Sequence, residues 1–167
     1  MTDLGGTADE RTMLTGFLDW QRAVTERKLD GLTKEEATRA MTGSGLSVLG
    51  VVQHLAWVER SWFQFRFAGE DVELVGVGGP STDRSEQFRL DPGDSAASVL
   101  RFYRDEVEQA RRITDAAESL DQLALRPSRD FGTVSLRWIL VHMIEETARH
   151  NGHLDLMRES IDGRIGD

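Results

Sequence analysis

The chain has 167 residues, no cysteine, 20 basic against 29 acidic residues and a formal net charge of −9. This length suits one domain, residues 1–167, with a core that needs no staple. The lack of cysteine excludes disulfides, thiolate metal ligands and a cysteine nucleophile, and the acidic balance disfavours nucleic acid and anionic membranes as partners. The start MTDLGGTADE lacks a basic region followed by an apolar one, and no run of about 18 apolar residues occurs, so a soluble cytoplasmic protein is expected.

Four long segments carry helical periodicity, separated by stretches rich in Gly, Pro, Asp and Ser. The first runs from about Ala8 to Lys28, with Met13, Leu14, Phe17, Leu18, Gln21 and Val24 at spacings of three and four. In the bridge that follows, Thr33 and Glu36 form a capping signal that predicts a short helical turn. The second segment, SVLGVVQHLAWVERSWFQFRFAG, takes Ser44 or Ser47 as its cap and stops at Gly69. A long loop over residues 70–93 comes next, of the length that shapes a pocket or an interface. Its GVGGP has no preceding strand and no GK[ST] after it, so it reads as loop and not as a phosphate cradle.

The third segment is capped by Asp94 or Ser95 and alternates apolar and charged faces. The fourth begins at Thr133 or Ser135 and reaches about Ile161. The DFG at Asp130–Gly132 stands without the other kinase motifs and is read as loop. These elements predict an all-α four-helix bundle with a long loop between its second and third helices.

Helical phase then separates the polar residues that point inward. With about 100° per residue, Leu136, Ile139, Met143, Met157 and Ile161 lie within roughly 20° to 80° of Glu146, and His150 falls inside that stripe. On the second helix Val51, Val58 and Phe65 lie within about 60° of His54, with Ser47 and Ser61 on the same line and Trp62 near its edge. A carboxylate and two imidazoles therefore interrupt two apolar seams, and a buried lone carboxylate is costly. His54, Glu146 and His150 together suit a divalent metal of the zinc class, with a coordination position left open.

Simpler readings stand beside this one. His54 could be a satisfied core histidine, Glu146 and His150 a surface pair on one helix, and Arg137 or Arg149 could neutralise Glu146. His142 and His153 fall to the other side of Glu146, where a rim role or a proton-carrying role suits them better than ligation. Trp20, Trp57, Trp62 and Phe63 are candidates for an apolar pocket wall, or else for core.

In SVLGVVQHLAWVERSWF and TVSLRWILVHMIEETARHNGHLDLMRESIDG the sequence resembles the DinB-like superfamily of small four-helix metal proteins, in its mini-circle-protein branch. That superfamily includes the mycothiol-dependent S-transferases and maleylpyruvate isomerase. Many of its members use a His on the second helix and an H-x-x-x-H pair on a late one. Glu146 replaces the first His of that pair, and the isomerase branch, with His, Glu and His, is the better match.

The resemblance thus carries the ligand role onto His54, Glu146 and His150. The isomerase has a further C-terminal domain, and this chain ends soon after its fourth helix, which counts against isomerase activity itself. The resemblance implies a metal-dependent transferase holding zinc or nickel. Such an enzyme would activate a small thiol such as mycothiol for attack on an electrophilic substrate, with His142 as catalytic proton carrier. Two other readings stay open: a hydrolase with metal-bound water, and a non-catalytic stress-response module that binds through its surface or the 70–93 loop. Long exposed helix faces also suit a homodimer.

Overall fold

A computed structural model of the chain describes residues 6–76 and 83–166. Among these residues there are five α-helices and no strand, only two isolated β-bridges. Each helix starts where a side-chain oxygen can accept a free backbone N–H. Asp9 caps α1 (Glu10–Arg27) through the amide of Thr12. Thr33 and Glu36 close a full capping box on α2 (Lys34–Thr38), the short turn expected from their spacing. Ser47, not Ser44, caps α3 (Val48–Glu59). Ser95 caps α4 (Ala96–Ala116), and Ser135 caps α5 (Leu136–Asp162). At the end of α5, Gly163 adopts a φ of 75°, a left-handed cap that glycine takes without strain.

The second helix departs from the expected uniform α-helix. After Glu59 the backbone continues as a π-helix over Arg60–Phe67, ending with the Ala68 amide bonded to the Phe63 carbonyl. The wider i→i+5 turn makes residues after Arg60 lag behind α-helical phase. Phe65, placed on the inward stripe by α-helical phase, is instead half-buried beneath the Arg126 guanidinium. Phe63 and Phe67 enter the core in its place. The helix before the π segment is also buried on more than one face: Leu49, Val52, Leu55 and Ala56 are as enclosed as Val51. Its packing explains this, since α3 contacts α2, α4, α5 and the 3₁₀ turn Arg84–Phe88.

The loop between α3 and α4 is therefore not featureless. Residues 83–88 form that 3₁₀ turn against α3, started by Asp83 accepting from the Ser85 amide. Val77–Pro80 of the GVGGP stretch lie outside the described residues.

Two apolar clusters fill the bundle. One gathers Leu18, Phe63, Leu136, Leu140 and Met143; the other gathers Leu49, Leu55, Tyr103, Leu154 and Met157. Along α5 the first cluster ends at Met143 and the second begins at Leu154, so Glu146 and His150 fall in the interval. Along α3 the change comes between Ala56 and Val58, close to His54. A polar layer thus crosses the bundle between its two apolar halves, and the candidate site lies in it.

Candidate metal centre

His54 from mid-α3 meets Glu146 and His150 from successive turns of α5. All three are buried, at 7%, 7% and 6% exposure. Glu146 Oε1 lies 3.3 Å from His54 Nε2 and 3.2 Å from His150 Nε2. One ligand atom from each residue lies within 4.8 Å of the others. Donors around a tetrahedral ion with bonds of about 2.1 Å stand about 3.4 Å apart, close to the two contacts on Oε1.

The hydrogen bonds behind His54 decide which of its nitrogens faces this cluster. The Gln87 amide nitrogen donates to the Val75 carbonyl at 2.8 Å, which orients the Gln87 side chain. Its Oε1 is therefore the atom 3.1 Å from His54 Nδ1. A carbonyl oxygen can only accept, so the network assigns the His54 proton to Nδ1 and leaves the Nε2 lone pair facing Glu146.

Phe88 stacks on the same imidazole, with ring centroids 4.0 Å apart and planes 13° from parallel. Gly50 permits this seating, because a Cβ there would stand 2.6 Å from the Phe88 carbonyl oxygen.

Electrostatics give the cluster its donor character. Burial lowers the His54 pKa, outweighing the pull of the Glu146 carboxylate, so the imidazole is neutral near pH 7. For Glu146 burial acts upward, but the hydrogen bond from His150 and the charge of Arg149 hold its carboxyl well below the usual carboxylate range. A neutral imidazole lone pair and an ionised carboxylate thus face one another across 3.3 Å, an arrangement that a cation between them resolves. His150 Nδ1 is buried without a hydrogen-bond partner. Two imidazoles and one carboxylate suit a divalent ion of the zinc class, and the residues present fit it.

The outer oxygen of Glu146 accepts from Arg149, so one of the two arginines considered from the sequence does reach it. Arg137 instead pairs with Glu10 and Asp121.

A cavity of about 460 Å3 opens beside the cluster and is lined by His54, Glu146, Trp62, Arg66, Trp138 and His142, among others. His142 belongs to this wall and not to the cluster. Its ring stacks on Trp138 at 5.0 Å and meets Trp62 edge-on at 4.9 Å, and burial lowers its pKa. His153 is exposed and lies in a separate shallow groove beside Met41 and Leu46, although its ring touches His150 edge-on at 5.3 Å.

Of the aromatic residues considered as pocket wall, Trp62 lines the cavity. Phe63 is core, Trp57 packs on Phe102, and Trp20 is half-buried on α1; none of these three lines it. Trp138, Phe131, Arg66 and Gln87 line the cavity without having been singled out. Trp138 had a readable signal, since it precedes His142 by one helical turn on α5. Arg66 sits on the π-helix, Gln87 on the 3₁₀ turn and Phe131 in a loop, where no simple periodicity applies.

A helical bundle with a buried His/Glu/His cluster open to a cavity is consistent with the DinB-like class. The family model for mycothiol-S-transferase matches residues 13–163, and the chain belongs to that family. Among curated proteins, it is similar to bacterial non-heme ferritins from two strains of Staphylococcus epidermidis, 33% and 32% identical over 90 residues. The chain spans about half the length of these relatives, and the match covers 51% of each chain. No helix among the described residues is long and apolar enough to cross a membrane.

Proposed function

We propose that this protein is a metal-dependent transferase that activates a low-molecular-weight thiol of the mycothiol type for attack on an electrophilic carbon. Membership of the mycothiol-S-transferase family supports the thiol. The observation that carries the metal is the convergence of His54 Nε2, Glu146 Oε1 and His150 Nε2 beside an open cavity. These three residues would hold zinc or nickel. A divalent ion there would favour the thiolate over the thiol at neutral pH.

The rest falls to the chain's own residues. Gln87 fixes the His54 tautomer so that its lone pair points into the cluster. Arg149 holds the outer oxygen of Glu146 and leaves Oε1 directed at the histidines. His142, kept neutral by burial on the cavity wall, takes the thiol proton and passes it to solvent. In a displacement the S–C bond forms as the bond to the leaving group breaks, and the leaving group departs with that bonding pair.

The test is joint consumption of mycothiol and an electrophile by protein loaded with zinc or nickel, compared with His54→Ala. The proposal expects turnover only with both substrates and its loss in the variant. Turnover of an ester without any thiol would instead identify a hydrolase, and no metal uptake at all would sink both enzymatic readings.

A further inference from the structure

The cavity beside the cluster has a wall too specialised to be a by-product of packing. Trp62 and Trp138 approach with ring centroids 5.3 Å apart, and Phe131 closes on Trp138 at 4.8 Å. Phe131 is 55% exposed, so folding gains little from placing an apolar ring there. Yet its position is held. It rides a turn closed by two backbone hydrogen bonds between Ser128 and Gly132, at 2.8 and 3.0 Å, and Gly132 supplies the φ of 70° that the turn requires.

Arg66 stands in this aromatic wall, with Ser61, Ser128 and the Asp130 carboxylate on the same lining. Arg66 is 5% exposed, its guanidinium lies 5.0 Å from the Trp62 ring centroid, and Ser61 Oγ fixes one of its terminal nitrogens. Its Nε is buried without a hydrogen-bond partner. A largely buried guanidinium on the lining of the cavity, beside a cluster of aromatic rings, suits a ligand with a flat ring and an acceptor group at its edge.

We propose that this wall is the binding site of the second substrate, and that the electrophile is a planar aromatic compound carrying a polar acceptor substituent. The inference rests on the transferase reading for calling this ligand the electrophile, but the recognition itself needs neither metal nor thiol. Aromatic faces of Trp62, Trp138 and Phe131 hold the ring, and Arg66 reads the acceptor. The ligand would lie beside the cluster, since His54 and Glu146 line the same cavity.

The test uses the full chain labelled with ¹⁵N and a probe with no leaving group, 1,3-dinitrobenzene. Its four tryptophans supply an internal control, because Trp62 and Trp138 line the cavity while Trp20 and Trp57 do not. Titration is expected to shift the indole N–H signals of Trp62 and Trp138 saturably and leave those of Trp20 and Trp57 in place, with or without zinc. Trp138→Leu should weaken binding by about tenfold, as the loss of one stacking partner implies. Toluene, which lacks the acceptor, and nitrocyclohexane, which lacks the flat ring, should each bind several-fold more weakly.

Absence of saturable binding, equal affinity for either control compound, or equal shifts at Trp57 would overturn the proposal. Thiol transfer could still be observed in any of those cases, so failure here is separable from failure of the transferase reading.

Discussion

Glu59 and Glu146 are both buried carboxylates, at 1% and 7% exposure, and they are neutralised in opposite ways. Glu59 receives the Arg22 guanidinium on both oxygens, Nε on Oε1 and Nη2 on Oε2, each at 2.7 Å. That fork is closed: a permanent cation fills both oxygens, and Glu59 is not among the residues that line the cavity beside the cluster, although Arg22 borders a groove of its own with Asp19 and Glu26. Glu146 turns one oxygen to Arg149 and the other to two imidazoles, one of which presents a lone pair. The first arrangement holds helices together, and the second has room for an ion. What separates a structural carboxylate from a candidate ligand here is the partner set and the adjoining cavity, since burial alone is similar.

The largest expected effect lies on the open side. His54→Ala should abolish thiol transfer and cost metal affinity beyond the roughly 10- to 100-fold typical of losing a supporting partner, measured by zinc titration. On the closed side Glu59→Gln leaves Arg22 buried without its carboxylate and should destabilise the fold by about 3–5 kcal/mol in urea unfolding. Equal stability losses from Glu59→Gln and Glu146→Gln in metal-free protein would erase the distinction.

The supporting residues come next. Gln87→Leu frees the His54 tautomer and should weaken zinc binding by roughly 10- to 100-fold. Gly50→Ala acts on the same turn from below, because its new Cβ meets the Phe88 carbonyl. It should weaken zinc binding by a smaller factor, with far-UV circular dichroism unchanged.

The smallest effect is a pH dependence at His142. Burial sets its folded pKa below the ordinary value of about 6.5. The unfolded chain therefore takes up the proton first as the solution is acidified. Stability from the neutral ring is complete above about pH 6.5 and is lost as pH falls through the folded value. The drop in urea midpoint between pH 7.5 and 5.5 should be smaller in metal-free His142→Gln than in the parent.

Much of this contrast was legible in the sequence, and for a definable reason. His54, Glu146 and His150 sit on regular α-helix, where 100° per residue translates spacing into direction. The cap at Thr33 was legible for the same local reason, and those at Ser47, Ser95 and Ser135 were each one of two neighbouring candidates that the structure decides between. Legibility failed where the backbone changed register or the partner was remote in sequence. The π segment displaced Phe65 and installed Phe63 and Phe67, and nothing in RSWFQFRF announces a wider turn. Gln87 reaches His54 across 33 residues through a 3₁₀ turn, so its role appears only in three dimensions. The closed Arg22–Glu59 pair, 37 residues apart, was hidden in the same way.

The central claim is that His54, Glu146 and His150 hold one divalent ion. The most direct measurement is equilibrium zinc titration of metal-free protein, followed by native mass spectrometry, for the parent chain, His150→Ala and Glu59→Gln. The account predicts one tightly held ion per chain in the parent, none in His150→Ala, and one in whatever fraction of Glu59→Gln remains folded. Undiminished binding in His150→Ala, or no binding by the parent, would contradict it.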